Sequence, residues 1–156
     1  MPTNPDFELA AAHKYFAAQC FNQAWDLIEK PDRTPADDRL MEALSQASIY
    51  HWLQREDYSN QNLSVGYWQA SRIQALLGHA AEALRHAQVC LDYSEGLAPF
   101  YLGYAHEALA RAQALAGNSE AAADHLKAAL QLAGEVKEES DREALLADLK
   151  GLTSGA

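Results

Sequence analysis

The chain has 156 residues, enough for one domain with a buried core, and its 12 basic and 22 acidic side chains give a formal net charge of −10. Because phosphate binding rests on Lys and Arg, and no basic cluster occurs, this charge argues against a nucleic-acid partner and against an anionic membrane surface. Two cysteines, Cys20 and Cys90, are too few for a disulfide framework and are typical of a reducing compartment. We find no secretory signal and no apolar run of about 18 residues, so we expect a cytoplasmic protein with no membrane partner.

Abundant alanine and leucine, scarce β-branched residues, and Gly and Pro placed between periodic blocks predict an all-α fold. The first helix is expected to begin near Asp6 and to end before Pro31. The residues that follow helical spacing in this segment are Phe7, Ala11, Tyr15 and Ala18. A break near residues 20–22, which would leave a short second helix, stays open at this point.

The second helix has the clearest start signal in the chain. Thr34 suits the N-cap, Pro35 suits the first helical position, and Asp37 and Asp38 complement the helix dipole. We expect this helix to fray near Glu56 and to be followed by a polar loop over residues 57–62. Its periodic apolar positions are Leu40, Leu44, Ala47, Tyr50 and Leu53.

Glycine and proline divide the rest of the chain into five further helices. The third should end near Leu77 with Gly78 in the left-handed conformation, and the fourth should run from about Ala80 to Tyr93. A fifth should run from Pro99 to Gly117, and a sixth, capped by Asn118 or Ser119, should end near Gly134. A capping box, Ser140 to Glu143, should open a last helix that ends at Gly151, leaving residues 152–156 frayed.

An internal repeat becomes visible when the chain is shifted by 39 residues. Residues 63–93 then align with residues 102–132, and nine of the 31 positions are identical. The matches include the two turn glycines. The identical pairs are Leu63/Leu102, Arg72/Arg111, Gln74/Gln113, Ala75/Ala114, Leu76/Leu115, Gly78/Gly117, Ala83/Ala122, His86/His125 and Leu91/Leu130. Such a period predicts stacked helical hairpins, none of which can bury its apolar face alone.

The segments LLGHAAEALRHAQVCL and LAGNSEAAADHLKAAL resemble the turn and second helix of a tetratricopeptide repeat. Each has a turn glycine, then a small residue five positions later, another seven after that, and then an apolar residue. These positions are Gly78, Ala83, Cys90 and Leu91 in one segment and Gly117, Ala122, Ala129 and Leu130 in the other. The resemblance covers residues 63–133, although the period is 39 rather than about 34 residues. The whole chain also resembles small uncharacterised bacterial proteins of this tetratricopeptide-like kind, which implies no function.

The resemblance implies one domain over residues 1–156, a short tetratricopeptide-like α-solenoid of about six or seven helices in stacked antiparallel hairpins. Residues 6–58 would form divergent N-terminal helices, residues 60–95 and 98–134 the two repeats, and residues 140–151 a capping helix. The first helices of such pairs line a concave face that makes most partner contacts, which implies a protein or peptide partner. The binding residues expected are Trp68, Arg72, Tyr104, Glu107 and Arg111, with His51 and Arg55 at the end of the second helix.

Two alternatives apply to these residues. Glu107 and Arg111 are spaced i, i+4 and could form a solvated helical ion pair. Trp68 could be a packing residue between repeats, and Arg72 could stack on it without any ligand.

No motif in the chain predicts a reaction, a cofactor or a metal site. No two of the six histidines are spaced i, i+4, and no glycine-rich phosphate loop or nucleophile elbow occurs. We therefore expect a binding module and not an enzyme. An alternative is a small-molecule-binding protein or enzyme whose pocket combines His51, Arg55, Trp68, Arg72, Tyr101 and Glu107. A homodimer closed by the aromatic residues of the N-terminal third is a further alternative.

Overall fold

The computed structural model describes residues 4–154, which form seven α-helices and no strand. The all-α prediction is thus confirmed for this part of the chain. The helices are α1 (Leu9–Ile28), α2 (Pro35–Leu53), α3 (Asn60–Leu76), α4 (Ala80–Ser94), α5 (Pro99–Leu115), α6 (Ser119–Ala133) and α7 (Glu139–Ser154). Within residues 4–154, every helix is too short or too polar to traverse a lipid bilayer.

Capping boxes fix the starts of α2 and α3. The Thr34 hydroxyl accepts a hydrogen bond from the Asp37 backbone N–H (3.2 Å), and the Asp37 carboxylate accepts one from the Thr34 N–H (2.8 Å). These bonds and one from Lys30 lower the pKa of Asp37 to about 2, with the Lys30 bond the largest cause. Ser59 and Asn62 form the same arrangement. The polar loop predicted over residues 57–62 is therefore shorter, because its last three residues already belong to α3.

Glycine ends α3 and α5 in the same way. Gly78 and Gly117 have φ angles of +81° and +83°, which L side chains rarely adopt. Each glycine and the residue after it donate their backbone N–H groups to the last turn of the helix, at 3.1 and 2.9 Å in both cases. This is the Schellman pattern. The two bends separate helices, as predicted, and their hydrogen bonds repeat at an offset of 39 residues.

Other predicted boundaries need correction. The first helix begins at Leu9 rather than Asp6 and continues through residues 20–22, since Ala17, Cys20 and Ala24 form one buried face. The second helix ends at Leu53, short of Glu56. Asn118 occupies the N-cap position of α6, but its side chain donates to Gln113 (2.7 Å) and does not cap the helix.

The last helix is longer than predicted at both ends. It begins at Glu139, so Ser140 lies inside it, and it continues past Gly151 to Ser154. Residues 152–154 are therefore helical and not frayed, because Leu152 packs on a buried cluster formed by α6, α7 and the segment between them. Residues 155 and 156 lie outside the described part of the chain.

Consecutive helices pack against one another, and three of the helices are also brought together across the hairpins. α3 contacts α5, and α5 contacts α7. α1 joins this row because Gln69 donates a 3.0 Å hydrogen bond to the Phe21 carbonyl. We call α1, α3, α5 and α7 the leading helices. Small residues allow the close approach: a Cβ placed on Gly103 of α5 would lie 2.7 Å from Leu145 of α7.

Candidate functional site

Aromatic rings from the leading helices meet in a continuous row. The Trp25 and Trp68 rings lie 5.5 Å apart, and Trp68 meets Tyr104 edge-on at 5.3 Å. Phe100, one turn before Tyr104 on α5, contacts the Tyr104 ring at 5.1 Å. The row thus joins α1, α3 and α5, and it exists because these helices lie side by side.

This row forms one wall of a cavity of about 270 Å³, which we call the aromatic cavity. Its lining comes from all four leading helices: Phe21, Trp25, Ser64, Val65, Trp68, Phe100, Tyr101, Tyr104 and Asp148. Six of these nine side chains are aromatic rings, and Asp148 is the one charged group among the nine. Such a cavity combines a large apolar contact area with a single fixed polar group, the usual composition of a ligand site.

A buried carboxylate holds the wall together behind Trp68. Glu107 is 0% exposed and accepts hydrogen bonds from the Trp68 indole N–H (2.8 Å) and from the Arg111 guanidinium. The interpretation of Glu107 and Arg111 as a solvated ion pair is therefore wrong. Because a buried carboxylate without donors would be costly, both donors stabilise the position of Glu107.

Asp148 is fixed by Tyr104. The Tyr104 hydroxyl donates a 2.8 Å hydrogen bond to Oδ2 of Asp148, so α5 and α7 are linked at the cavity. Burial, followed by this bond and the negative charge of Asp148, raises the pKa of Tyr104. Tyr104 therefore stays a neutral donor at any physiological pH.

Arg72 lies one turn after Trp68 on α3, beside this network. It is largely buried, and its Nε makes no hydrogen bond with any described residue. Burial lowers the pKa of Arg72, the charge of Arg111 lowers it further, and the carboxylates of Glu107 and Asp148 oppose this effect. Among the described residues, the Arg72 guanidinium does not stack on the Trp68 ring. The stacking of this kind is between Arg55 and Trp52, where the Arg55 Cζ lies 4.2 Å from the ring centre.

Of the seven residues predicted to bind, five lie together on α3 and α5: Trp68, Arg72, Tyr104, Glu107 and Arg111. The other two lie elsewhere. His51 pairs with His13 of α1, with 2.8 Å between the two Nδ1 atoms, and Arg55 forms a two-bond ion pair with Asp57, at 2.7 Å for each bond. Of the six residues in the pocket proposed from sequence, Trp68 and Tyr101 line the aromatic cavity.

A second histidine pair lies between α5 and α6, where the Nδ1 atoms of His106 and His125 are 3.0 Å apart. Burial, followed by the charge of the neighbouring ring, lowers the pKa of His51 in one pair and of His106 in the other. In residues 4–154, no three His, Cys, Asp or Glu side chains converge in a way that could hold a metal ion.

Comparisons with known proteins give no match. No protein-family model matches the sequence, and no curated protein or solved structure is significantly similar to it. The resemblance to tetratricopeptide repeats therefore stays a prediction, and the function has to be argued from the geometry of the site.

Sequence reasoning missed six lining residues of the aromatic cavity as site residues: Phe21, Trp25, Ser64, Val65, Phe100 and Asp148. Trp25 and Phe21 are spaced i, i+4 on α1, a signal that could have placed two rings on one helix face. Asp148 carried no such signal. It lies in a charge-rich segment, where its spacing resembles that of any solvated carboxylate.

Proposed function

We propose that this protein is a binding module whose leading helices hold a peptide segment of a partner protein. The observation that supports this most directly is the aromatic cavity, to which α1, α3, α5 and α7 all contribute. A side chain of the bound segment would fill the cavity and contribute about 1.5–3 kcal/mol through apolar burial. The backbone of the segment would lie across the leading helices on either side.

We further propose that the hairpins stack as a short tetratricopeptide-like solenoid in the cytoplasm. The contacts of α3 with α5 and of α5 with α7 support the stacking, since alternate helices line one face of such a solenoid. The free, buried thiols of Cys20 and Cys90 suit a reducing compartment.

The proposal is binding rather than catalysis because both carboxylates at the site are engaged by side chains of the protein itself. Trp68 and Arg111 donate to Glu107, and Tyr104 donates to Asp148. Groups held in this way stiffen a surface and fix its shape, which favours recognition by preorganisation.

Peptide selection tests the proposal directly. A random peptide library displayed on phage would be enriched on the wild-type protein and then assayed on Val65→Phe, which places a ring in the cavity, and on Tyr101→Ala, which removes one. We expect both variants to lose the selected peptides. Tyr50→Ala, an exposed aromatic residue of α2 outside the cavity, should keep them. Equal binding by all three variants, or no enrichment, would contradict the proposal.

A small molecule is a second candidate ligand, favoured by the aromatic lining of the cavity and its single charged group. About 270 Å³ is close to the lower end of the roughly 300–1,000 Å³ range typical of small-molecule sites. In that case a selected peptide would be absent, while a screen of small aromatic and cationic compounds would give binders that Val65→Phe rejects.

Self-association is a separate candidate, favoured by exposed rings on α1 and α2. Tyr15, Phe16 and Tyr50 are 59%, 44% and 54% exposed, and the first two rings contact each other at 5.2 Å. Two copies could bury these rings against each other. Sedimentation at micromolar concentration decides this, with a monomer as the contradicting result.

A further inference from the structure

The lining of the aromatic cavity is electron-rich. Ring faces carry negative potential and attract cations, with Trp the strongest and Tyr and Phe weaker. Two Trp, two Tyr and two Phe rings surround the cavity, together with the Asp148 carboxylate and no basic side chain. The Asp148 carboxylate would repel an anion placed there and attract a cation.

Two of these rings are made richer in electrons by their hydrogen bonds. Trp68 donates its indole N–H to the Glu107 carboxylate at 2.8 Å, and Tyr104 donates its hydroxyl to the Asp148 carboxylate at the same distance. A donor bonded to an anion is polarised, so electron density moves back into the ring. Carboxylates thus act on the cavity through the rings as well as directly.

From this lining we infer that the aromatic cavity binds an alkylammonium group. The inference rests on the proposed function, and it names the side chain of the bound segment that the cavity recognises: a lysine or an N-methylated lysine. A volume of about 270 Å³ is several times that of a water molecule, at roughly 30 Å³, and accommodates a trimethylammonium group with part of its chain. The net charge of −10 attracts such a cation to the protein.

Arg72 does not reverse this preference. It lies one turn beyond Trp68 and is not among the residues that line the cavity. The nearby carboxylates of Glu107 and Asp148 stabilise its charged form and offset its positive charge. The charge that faces the cavity directly is that of Asp148.

Two probes of matched shape test the inference: choline, which carries a trimethylammonium group, and 3,3-dimethyl-1-butanol, its neutral counterpart. The three tryptophans give three indole N–H signals in a ¹H–¹⁵N NMR spectrum. We expect choline to move the signals of Trp25 and Trp68, and not that of Trp52, which lies under Arg55. The neutral alcohol should bind about tenfold more weakly.

Asp148→Asn keeps the shape of the cavity and removes its charge, so it should weaken choline binding about fivefold or more. Glu143→Gln, the same change of charge at an exposed position of α7, should leave choline binding unchanged.

Equal affinity for choline and the alcohol would overturn the cation preference while leaving the cavity as a binding site. If neither probe moves Trp25 or Trp68, while selected peptides still require an open cavity, the ammonium inference fails and the proposed function stands. If choline does bind, a peptide series with lysine, trimethyllysine or norleucine at one position separates a side-chain ligand from a free ammonium compound.

Discussion

The indole Nε1 of Trp68 donates a 2.8 Å hydrogen bond to Oε2 of Glu107, a residue 39 positions further along the chain. This separation equals the offset of the sequence repeat, so the bond joins equivalent positions of two successive hairpins. Such a contact requires α3 and α5 to lie side by side at these two positions. The repeat therefore contributes to the site directly, because it places an aromatic ring of one hairpin against a carboxylate of the next.

We expect Glu107→Gln to lower the free energy of unfolding by about 3 kcal/mol. The substitution keeps the size of the side chain but leaves an amide facing donors from Trp68 and Arg111, and the partly buried Arg111 guanidinium loses its counter-charge. Urea denaturation monitored by circular dichroism measures the change.

The matched control for this prediction is Glu82→Gln. Glu82 also pairs with an arginine, Arg85, at 2.8 Å, but both side chains are more than half exposed. Solvent and mobility leave such a pair with little net effect. Similar midpoints for the two variants would show that burial of Glu107 does not govern its contribution.

The equivalent arginines of the repeat, Arg72 and Arg111, should differ in how replacement by methionine changes the free energy of unfolding. Arg111→Met removes a partner of buried Glu107 and should cost about 3 kcal/mol. Arg72→Met removes a largely buried guanidinium whose Nε has no partner, so stability should stay unchanged or rise by about 1 kcal/mol. Chemical denaturation of both variants tests this, and a comparable loss in Arg72→Met would assign Arg72 a structural role.

Local signals in the sequence determine where several helices begin or end, and these boundaries were predictable. Thr34 and Pro35 mark the start of α2, and Gly78 and Gly117 mark two helix ends, because capping and positive φ depend on neighbouring residues. The end of α7 was not predictable in this way. Its last turn is held by Leu152, which packs on a cluster that includes Ala129 and Ala133 of α6, and no local pattern records how α6 and α7 pack together.

The site was predictable in part for the same reason. The repeat placed Trp68, Arg72, Glu107 and Arg111 on one face because they lie in the repeated segment. Asp148 and Trp25 come from helices outside the repeat, and only the packing of the leading helices brings them to the cavity. His51 was predicted by its spacing to Arg55, yet the contact that matters is with His13, 38 residues away.

Acidification should destabilise the protein through its two histidine pairs. When two histidine rings are joined through their Nδ1 atoms, one ring has to accept the hydrogen bond, and it can do so only while that nitrogen carries no proton. The pair therefore opposes protonation, and the folded-state pKa values of His51 and His106 lie below 6.5. The unfolded chain then binds more protons than the folded one. The stabilisation is complete above pH 6.5 and is lost as the pH falls from there through the folded pKa values.

Thermal unfolding at several pH values between 7.5 and 5.5 measures this effect, above the range in which carboxylates titrate. The melting temperature of the wild type should fall on acidification, and that of a His51→Asn/His106→Asn variant should fall less. Gln131→Asn, at an exposed position, serves as the control and should follow the wild type. A variant with the full wild-type decline would show that the pairs do not control the acid sensitivity.

Close packing of α5 against α7 should make Gly103 intolerant of even a methyl group. A Cβ at this position would lie 2.7 Å from Cδ2 of Leu145, which is 0% exposed, and side chains in such interiors are closely packed. Alanine favours a helix by about 1 kcal/mol over glycine, but overpacking costs about 1–3 kcal/mol, so Gly103→Ala should be destabilising on balance. Gly151→Ala in α7 meets no atom within 4 Å and should be neutral or stabilising. By calorimetry, Gly103→Ala should melt below the wild type, and Gly151→Ala should melt at or above the wild-type temperature. A Gly103→Ala protein that melts above the wild type would mean that α5 and α7 are not in close contact.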